Sequence, residues 1–200
     1  MIDLLLATRN RDKVEEIRAI LGGLPVRIRT VDDFPGLPEV EEDRPTLKGN
    51  AEKKALEVSR AAGIPALADD TGLFVPALGG APGVFSSRYA GENVTYEENR
   101  RKLVREMENV PDGERGAYFL CVAALARPEG IVGTAEGRVD GTILREDRGE
   151  GGFGYDAVFY YPPLRRTFGE LSGAEKNRIS HRAAAIRAAR GLIERLLQLD

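Results

Sequence analysis

Cysteine and histidine are nearly missing from this chain, with one of each in 200 residues. The lone Cys121, set in the apolar stretch over residues 118–126, excludes an intrachain disulfide framework and suits a reducing compartment, the cytoplasm. The lone His181 excludes a histidine-built metal site and the zinc chemistry that several imidazoles support. No Lys/Arg run is dense enough to grip polymeric nucleic acid or a membrane surface, and the net charge is -3 with a pI near 5.5. A small anionic ligand stays admissible, because it needs only a local basic pocket. No apolar run approaches the roughly 20 residues of a membrane span. The N-terminal Ile2-Asp3-Leu4-Leu5-Leu6-Ala7 is short, carries an acid and reads as a first strand. Absent too is Gly-x-x-x-x-Gly-Lys-Ser/Thr, so any phosphate grip differs from that of the P-loop enzymes.

What is present is the composition of an ordinary globular chain, 42% hydrophobic and 30% charged, enough for one large domain or two lobes. The first strand leads into Thr8-Arg9-Asn10-Arg11-Asp12-Lys13 and a helix with Val14, Ile17 and Leu21 on one face. Thr8 and Asn10 are N-cap candidates, and a helix start offers N–H donors and partial positive charge to an anion. With Arg9, Arg11 and Lys13 beside it, the loop reads equally as a solvated cap or as a phosphate cradle. A strand over 25–31, an acidic loop with Glu39, Glu41, Glu42 and Asp43, and a helix over 46–62 follow. The acidic loop reads as solvated. Lys54 falls within the apolar stripe Leu47, Ala51, Ala55 and Val58, and a lysine on a buried face needs an anionic partner. Lys53, one position earlier, turns towards solvent.

Ala66-Leu67-Ala68-Asp69-Asp70-Thr71-Gly72 reads as a buried strand ending in two carboxylates, before a second apolar run Leu73-Phe74-Val75. Alternation sends Asp69 and Asp70 to opposite faces. Burying carboxylates without partners is costly or shifts their pKa until they neutralise. A divalent cation resolves that conflict, and so does a capped turn satisfied by backbone N–H groups.

Further on, Leu78-Gly79-Gly80-Ala81-Pro82-Gly83 reads as an irregular loop, and Thr95-Tyr96-Glu97-Glu98 has capping-box spacing ahead of a helix through Leu103 and Met107. Residues 115–126 and 131–139 read as an antiparallel strand pair around Pro128-Glu129-Gly130. Gly149 to Gly154 spells the dinucleotide fingerprint, but Tyr155-Asp156-Ala157-Val158-Phe159-Tyr160 reads as a strand where the fingerprint requires a helix. Its glycines instead let a flat ligand approach the backbone beside Phe153, whose ring either stacks on a base or plugs the core. Ser172-x-x-Glu175 caps another helix, and Ser180-His181-Arg182 opens a last one that buries Ile186, Ala189, Ile193 and Leu197. Lys176, His181 and Arg182 supply donors and few acceptors, which suits the carbonyl-bearing edge of a ligand.

Seven motifs occur in fixed order: Thr8-x-Asn10-x-x-Lys13; Glu41-Glu42 ahead of Thr46-x-x-x-Asn50-Ala51-x-x-Lys54-Ala55; Ala68-Asp69-Asp70-Thr71-Gly72-Leu73; Leu78-Gly79-Gly80-Ala81-Pro82-Gly83; Ser87-Arg88-Tyr89; Phe153-Gly154-Tyr155-Asp156; and Ser180-His181-Arg182. In this combination the chain closely resembles the inosine triphosphate pyrophosphatase family, which clears aberrant purine nucleotides, and the resemblance runs nearly end to end. It implies a single α/β domain over 1–200 in two lobes, with a long central mixed β-sheet flanked by helices, an active-site cleft between the lobes, and a homodimer. The implied reaction is hydrolysis of ITP, dITP and XTP to the monophosphate and pyrophosphate, with a Mg²⁺-bound water attacking the phosphate chain, which keeps these nucleotides out of DNA and RNA.

Carried onto matching positions, the resemblance gives Thr8, Arg9, Asn10, Arg11, Asp12 and Lys13 to the phosphates, and Glu42 and Asp70 to the metal. Asp70 or Asp69 activates water, Lys54 reaches the phosphate chain, and Thr71 and Arg88 join the substrate site. Phe153, Gly154, Tyr155, Asp156, Lys176, His181 and Arg182 hold the base. The departures are Thr71 where serine is usual, Leu47 where phenylalanine is usual and Ala157 where proline is usual; Thr71 keeps its hydroxyl.

The chemistry agrees, since phosphoanhydride hydrolysis needs charge neutralisation, positioning and an oriented water, and a hard oxygen-ligated cation suits a chain poor in Cys and His. Selectivity follows from hydrogen bonding: hypoxanthine and xanthine present a 6-carbonyl to the donors, whereas adenine presents another donor, at about 1–3 kcal/mol for each unsatisfied group. Guanine shares the carbonyl, and no residue in the sequence accounts for its rejection. Three other readings compete: a pyrophosphatase for modified pyrimidine nucleotides, separated by substrate comparison; a nucleotide-binding regulator without turnover, in which Asp70→Asn has no activity to remove; and an ordinary scaffold, in which Thr8, Lys54, Asp70 and Phe153 lie far apart.

Overall fold

The computed structural model describes residues 2–198, so Met1, Leu199 and Asp200, at the ends of the expected 1–200 domain, lie outside the described residues. In chain order the elements are β1 (Ile2–Leu6), α1 (Arg11–Leu21), β2 (Val26–Thr30), α2 (Leu47–Ala62), β3 (Ala66–Phe74), β4 (Pro82–Gly83), α3 (Tyr96–Glu106), β5 (Gly116–Arg127), β6 (Gly130–Ile143), β7 (Phe159–Tyr161), β8 (Arg166–Thr167), α4 (Gly173–Ile179) and α5 (His181–Gln198). This is a mixed α/β fold with an eight-stranded sheet. Among the described residues no helix is long and apolar enough to cross a membrane. The chain forms two compact units, one from Met1–Asp70, Cys121–Gly137 and His181–Asp200, the other from Thr71–Leu120 and Arg138–Ser180.

In the first unit β1 lies between β2 and β3 and runs parallel to both, with Leu4 opposite Ile28 and Leu6 opposite Leu67. Parallel neighbours need crossovers, which α1 and α2 provide. Leu4, Leu5 and Leu6 are all fully buried, as expected of a central parallel strand covered on both faces. Asn10 caps α1 by accepting from the Lys13 N–H, and Thr46 caps α2 by accepting from the Gly49 N–H. Ile17 and Leu21 of α1 join Leu67, Cys121, Ala123 and Leu125 from the sheet and Ala185, Ile186, Ala189 and Ile193 of α5 in one core. The α5 stripe continues through buried Leu196 rather than the expected Leu197, which is half-buried, because a three-residue step from Ile193 keeps the inward face. Pro128-Glu129 alone joins neighbouring β5 and β6, a connection only an antiparallel pair permits.

In the second unit the last residues of β3, the first of β5 and the last of β6 join β7 and β8, in the strand order β3-β5-β6-β7-β8, with β4 antiparallel beside β3. Phe119, Phe159 and Phe168 centre its core, with ring centres 4.6 and 5.0 Å apart along that chain of contacts. Thr95 and Glu98 form the expected capping box at the start of α3. The glycine-rich loop is less irregular than its composition suggests. Ser86 Oγ accepts from the Leu73 N–H at 2.9 Å and donates to the Gly83 carbonyl at 2.6 Å, tying that loop to β3. Residues 155–158 are not the expected strand. They turn, with the Val158 and Phe159 N–H groups both donating to the Tyr155 carbonyl, so β7 starts only at Phe159. No helix follows the glycines, and the dinucleotide fingerprint stays excluded.

A Cβ on Gly137 would overlap the His181 carbonyl and the Ala185 backbone nitrogen, whereas a Cβ on helical, exposed Gly191 meets nothing within 4 Å. Gly137→Ala should therefore destabilise the protein by about 1–3 kcal/mol. Gly191→Ala should stabilise it by about 0.5–1 kcal/mol by removing backbone freedom from the unfolded chain. Thermal melts of the two variants should shift in opposite directions.

Candidate active site

One turn apart on the buried face of α2, Asn50 and Lys54 reach Asp70 in the middle of β3, which runs on to Phe74 instead of ending at the two carboxylates as expected. Lys54 Nζ donates to Glu42 Oε1 at 2.5 Å and pairs with Asp70 Oδ1 at 3.5 Å. Asn50 Nδ2 donates to Asp70 Oδ2 at 3.1 Å, and its Oδ1 accepts from the Arg44 N–H at 2.9 Å. The anionic partner that Lys54 required is thus a pair of carboxylates from separate segments. Burial pulls the Lys54 ammonium pKa down, but Asp70 and Glu42 outweigh it and the value is raised. Burial raises the Asp70 carboxyl against the opposing pull of Lys54, and neighbouring Glu42 raises it further.

The acidic loop is not merely solvated, and Lys53 does not simply face water. Lys53 Nζ donates to the Glu41 carbonyl at 2.9 Å and pairs with Asp43 at 2.9 Å, so adjacent lysines fasten successive residues of the loop to α2.

Asp69 takes different partners from Asp70, consistent with their alternation along β3. Its Oδ2 pairs with Lys13 Nζ at 3.1 Å and accepts from Nε and Nη2 of Arg182, each at 3.1 Å. Arg182 Nη1 donates onward to Glu16 Oε2 at 2.5 Å, and Cys121 Sγ lies 3.8 Å from the same Asp69 oxygen. Burial pushes the Asp69 carboxyl up, yet Lys13 and Arg182 prevail and hold it far below the usual carboxylate range. The phosphate-loop candidates separate here. Thr8 Oγ1 accepts from the Asn10 N–H at 3.2 Å, Arg9 donates to the Leu37 carbonyl at 3.0 Å, Arg11 and Asp12 are exposed, and Lys13 points inward to Asp69. His181 is buried beside Arg182 at the start of α5.

The second unit gathers another set. Lys176 Nζ donates to Asp156 Oδ2 at 2.5 Å and sits 4.5 Å from the centre of the Phe153 ring. The Phe153 N–H donates to that same Asp156 oxygen at 2.8 Å. Gly152 has φ 68°, and a Cβ there would strike the Asp156 carboxylate, so the position takes glycine on both counts. Buried Tyr155 donates its hydroxyl to the Ser86 carbonyl at 2.8 Å, and burial raises the phenol's pKa. Arg88 stacks 5.2 Å above the exposed Phe85, and Thr71 is half-buried directly after Asp70.

The predicted base-holding residues therefore divide. Phe153, Gly154, Tyr155, Asp156 and Lys176 belong to the second unit, while His181 and Arg182 belong to the first, with Arg182 on Asp69. Asn50 and Glu16 had no assigned role in the sequence. A signal existed for each, since Asn50 shares a helix face with Lys54 and Glu16 shares one with Lys13.

Among the described residues no group of three or more His, Cys, Asp and Glu is arranged to hold a metal. Glu42 and Asp70 offer two hard carboxylates already converging on one cation, the Lys54 ammonium. That donor set fits Mg²⁺, which is commonly held by one or two carboxylates together with substrate phosphates rather than by a protein cage.

The sequence profile of the Ham1 family matches residues 4–192. The chain belongs to the Ham1 family. A dITP/XTP pyrophosphatase from Desulforamulus reducens is 49% identical over 193 residues, covering 96% of each protein. One from Streptomyces coelicolor is 44% identical over 199 residues, covering 98% of this chain and 100% of its own. A HAM1 protein structure from Coxiella burnetii matches with a TM-score of 0.88 at 40% identity, covering 98% of this chain and 100% of that one. The Ham1 protein of Staphylococcus aureus gives 0.84 at 35% identity over 96% and 98% of the two chains.

In this Ham1 chain, Asp69→Asn removes the anion shared by two inward-facing cations, a change expected to cost about 3–5 kcal/mol at neutral pH. The folded pKa of Asp69 lies below the ordinary 3.8, so its contribution is complete above that pH and declines below it. The stability gap between wild type and variant should stay flat down to about pH 4.5 and then narrow by about 1.4 kcal/mol per pH unit. Paired thermal melts across pH 3–7 check this, and a gap that widens towards acid would contradict the charge state assigned to Asp69.

Proposed function

We propose that this chain hydrolyses deaminated purine nucleoside triphosphates, namely ITP, dITP and XTP, to the nucleoside monophosphate and pyrophosphate. The observation that carries this reading is the meeting of half-buried Glu42 and buried Asp70 at the Lys54 ammonium, two carboxylates and a cation assembled from three segments. The names of the relatives, dITP/XTP pyrophosphatases over nearly the whole chain, support the substrate class.

Phosphoanhydride cleavage asks the protein mainly for positioning and electrostatic stabilisation. Lys54 offers its ammonium to the phosphate chain, and the start of α1 offers Thr8, Asn10 and the helix N–H groups. Glu42 and Asp70 would hold Mg²⁺, which when bound neutralises phosphate charge. Asp70 is the better general base of the adjacent pair: Asn50 fixes its carboxylate, whereas Asp69 is enclosed and committed to Lys13 and Arg182. Asp69 then serves as a positioning residue for those two cations. For the base, Phe153 supplies a stacking face and Lys176 carries a further donor towards a 6-carbonyl while keeping its bond to Asp156. The proposed working form, on family resemblance, is a homodimer in a reducing cytoplasm.

Product analysis with ITP, XTP, ATP and GTP, with and without Mg²⁺, tests the reading. Pyrophosphate should appear from ITP and XTP only with the metal, and Asp70→Asn should lower kcat by about 10²–10⁴-fold. Orthophosphate as the first product, metal-independent turnover or a preference for ATP would overturn it.

A further inference from the structure

Helix α3 meets the Phe153 loop at two points. Tyr96, its first residue, places its ring centre 5.8 Å from that of Phe153 at a 42° tilt. Arg100, one turn later, donates Nη1 to the Gly154 carbonyl at 2.9 Å and Nε to Asp147 at 2.9 Å. The i,i+4 spacing puts both side chains on one helix face, and the Thr95–Glu98 capping box fixes where that face begins. Phe153 thus touches the Tyr96 ring and the Lys176 ammonium, while its neighbour's carbonyl is held by Arg100.

Two features set this contact apart from ordinary core packing. Tyr96 stays 42% exposed, so it buries little apolar surface and adds little to stability by that route. The 5.8 Å ring separation is also too short for a base to lie between the two aromatics, which would need two van der Waals gaps of about 3.5 Å each. Tyr96 is therefore placed to brace Phe153, not to form the second wall of a sandwich. The Arg100 guanidinium holds the carbonyl of the next residue, Gly154, at 2.9 Å, so the loop is held just beyond the ring as well.

We propose that Tyr96 and Arg100 are positioning residues that set the orientation of Phe153 for stacking on the nucleobase, and so tune affinity for the nucleoside part of the substrate. The inference rests on the reading of Phe153 as the base-stacking residue. It predicts an effect confined to recognition of the base, leaving the chemistry at Asp70 and the grip on phosphate intact.

The test compares the KM for ITP with the inhibition constant of inorganic triphosphate, which lacks a base, in Tyr96→Ala, Tyr96→Phe, Arg100→Ala and Phe153→Ala. Tyr96→Ala and Arg100→Ala should each raise the KM for ITP roughly three- to tenfold, with kcat within about twofold of wild type. The inhibition constant should be unchanged, and Tyr96→Phe, which keeps the ring, should behave as wild type. A KM and an inhibition constant that rise together in Tyr96→Ala would mean general damage and overturn the proposal, as would an unchanged KM. If Phe153→Ala raises the KM while Tyr96→Ala does not, the brace alone fails. If Phe153→Ala has no effect, the base-stacking assignment fails with it.

Discussion

Two adjacent carboxylates on a buried strand must each find positive charge, and the first unit is arranged to provide it. Asp69 collects Lys13 from α1 and Arg182 from α5; Asp70 collects Lys54 and the amide of Asn50 from α2. These three helices are the ones that the parallel strands β1, β2 and β3 require as crossovers and cover. The helices that pack around these strands are thus the same ones that neutralise the two acids in the middle of β3. Such pairs are weak evidence for stability, since apolar residues of similar volume often serve as well, while removing one partner is severely destabilising.

The neighbouring aspartates show how environment separates two identical groups. Asp69 is surrounded by cations and stays ionised under all ordinary conditions. Asp70 shares one lysine with a second acid, and its carboxyl is raised. Opposed shifts in two like neighbours agree with the proposed division of labour, in which Asp69 holds structure and Asp70 takes part in reaction.

Much of this was legible in the sequence wherever a local rule applied. Period and caps located α1, α2, α3 and α5, and alternation assigned Asp69 and Asp70 to different surroundings. The polar interruption of an apolar stripe announced that Lys54 had an acidic partner. What escaped were choices made between segments distant along the chain. The helix face that Glu16 shares with Lys13 hints at a role but not at Arg182 as its partner, and nothing local marks Lys53 as a fastener of the acidic loop, because a charged residue on a helix face looks alike whether it meets water or a partner. The turn at 155–158 was missed for a related reason. An aromatic, β-branched run favours a strand by composition, but the Asp156 side chain is claimed by Lys176 and by the Phe153 N–H, and those bonds hold the backbone in a turn.

The second unit solves a different problem with softer means. A buried ion pair of this unit, Lys176 with Asp156, lies beside the Phe153 ring, which is only partly covered. Ring contacts of this kind contribute about 0.5–1.5 kcal/mol, far less than a buried charge with its partner removed. On the proposed reading of Phe153 as the base-stacking residue, substitutions around it would shift affinity for a flat ligand in small steps without threatening the fold, whereas substitutions around Asp69 would not. On that reading, energies that differ so widely leave selectivity free to drift while the charged centre is held fixed, so a chain of this design would change which base it accepts before it changed what it does to the phosphates.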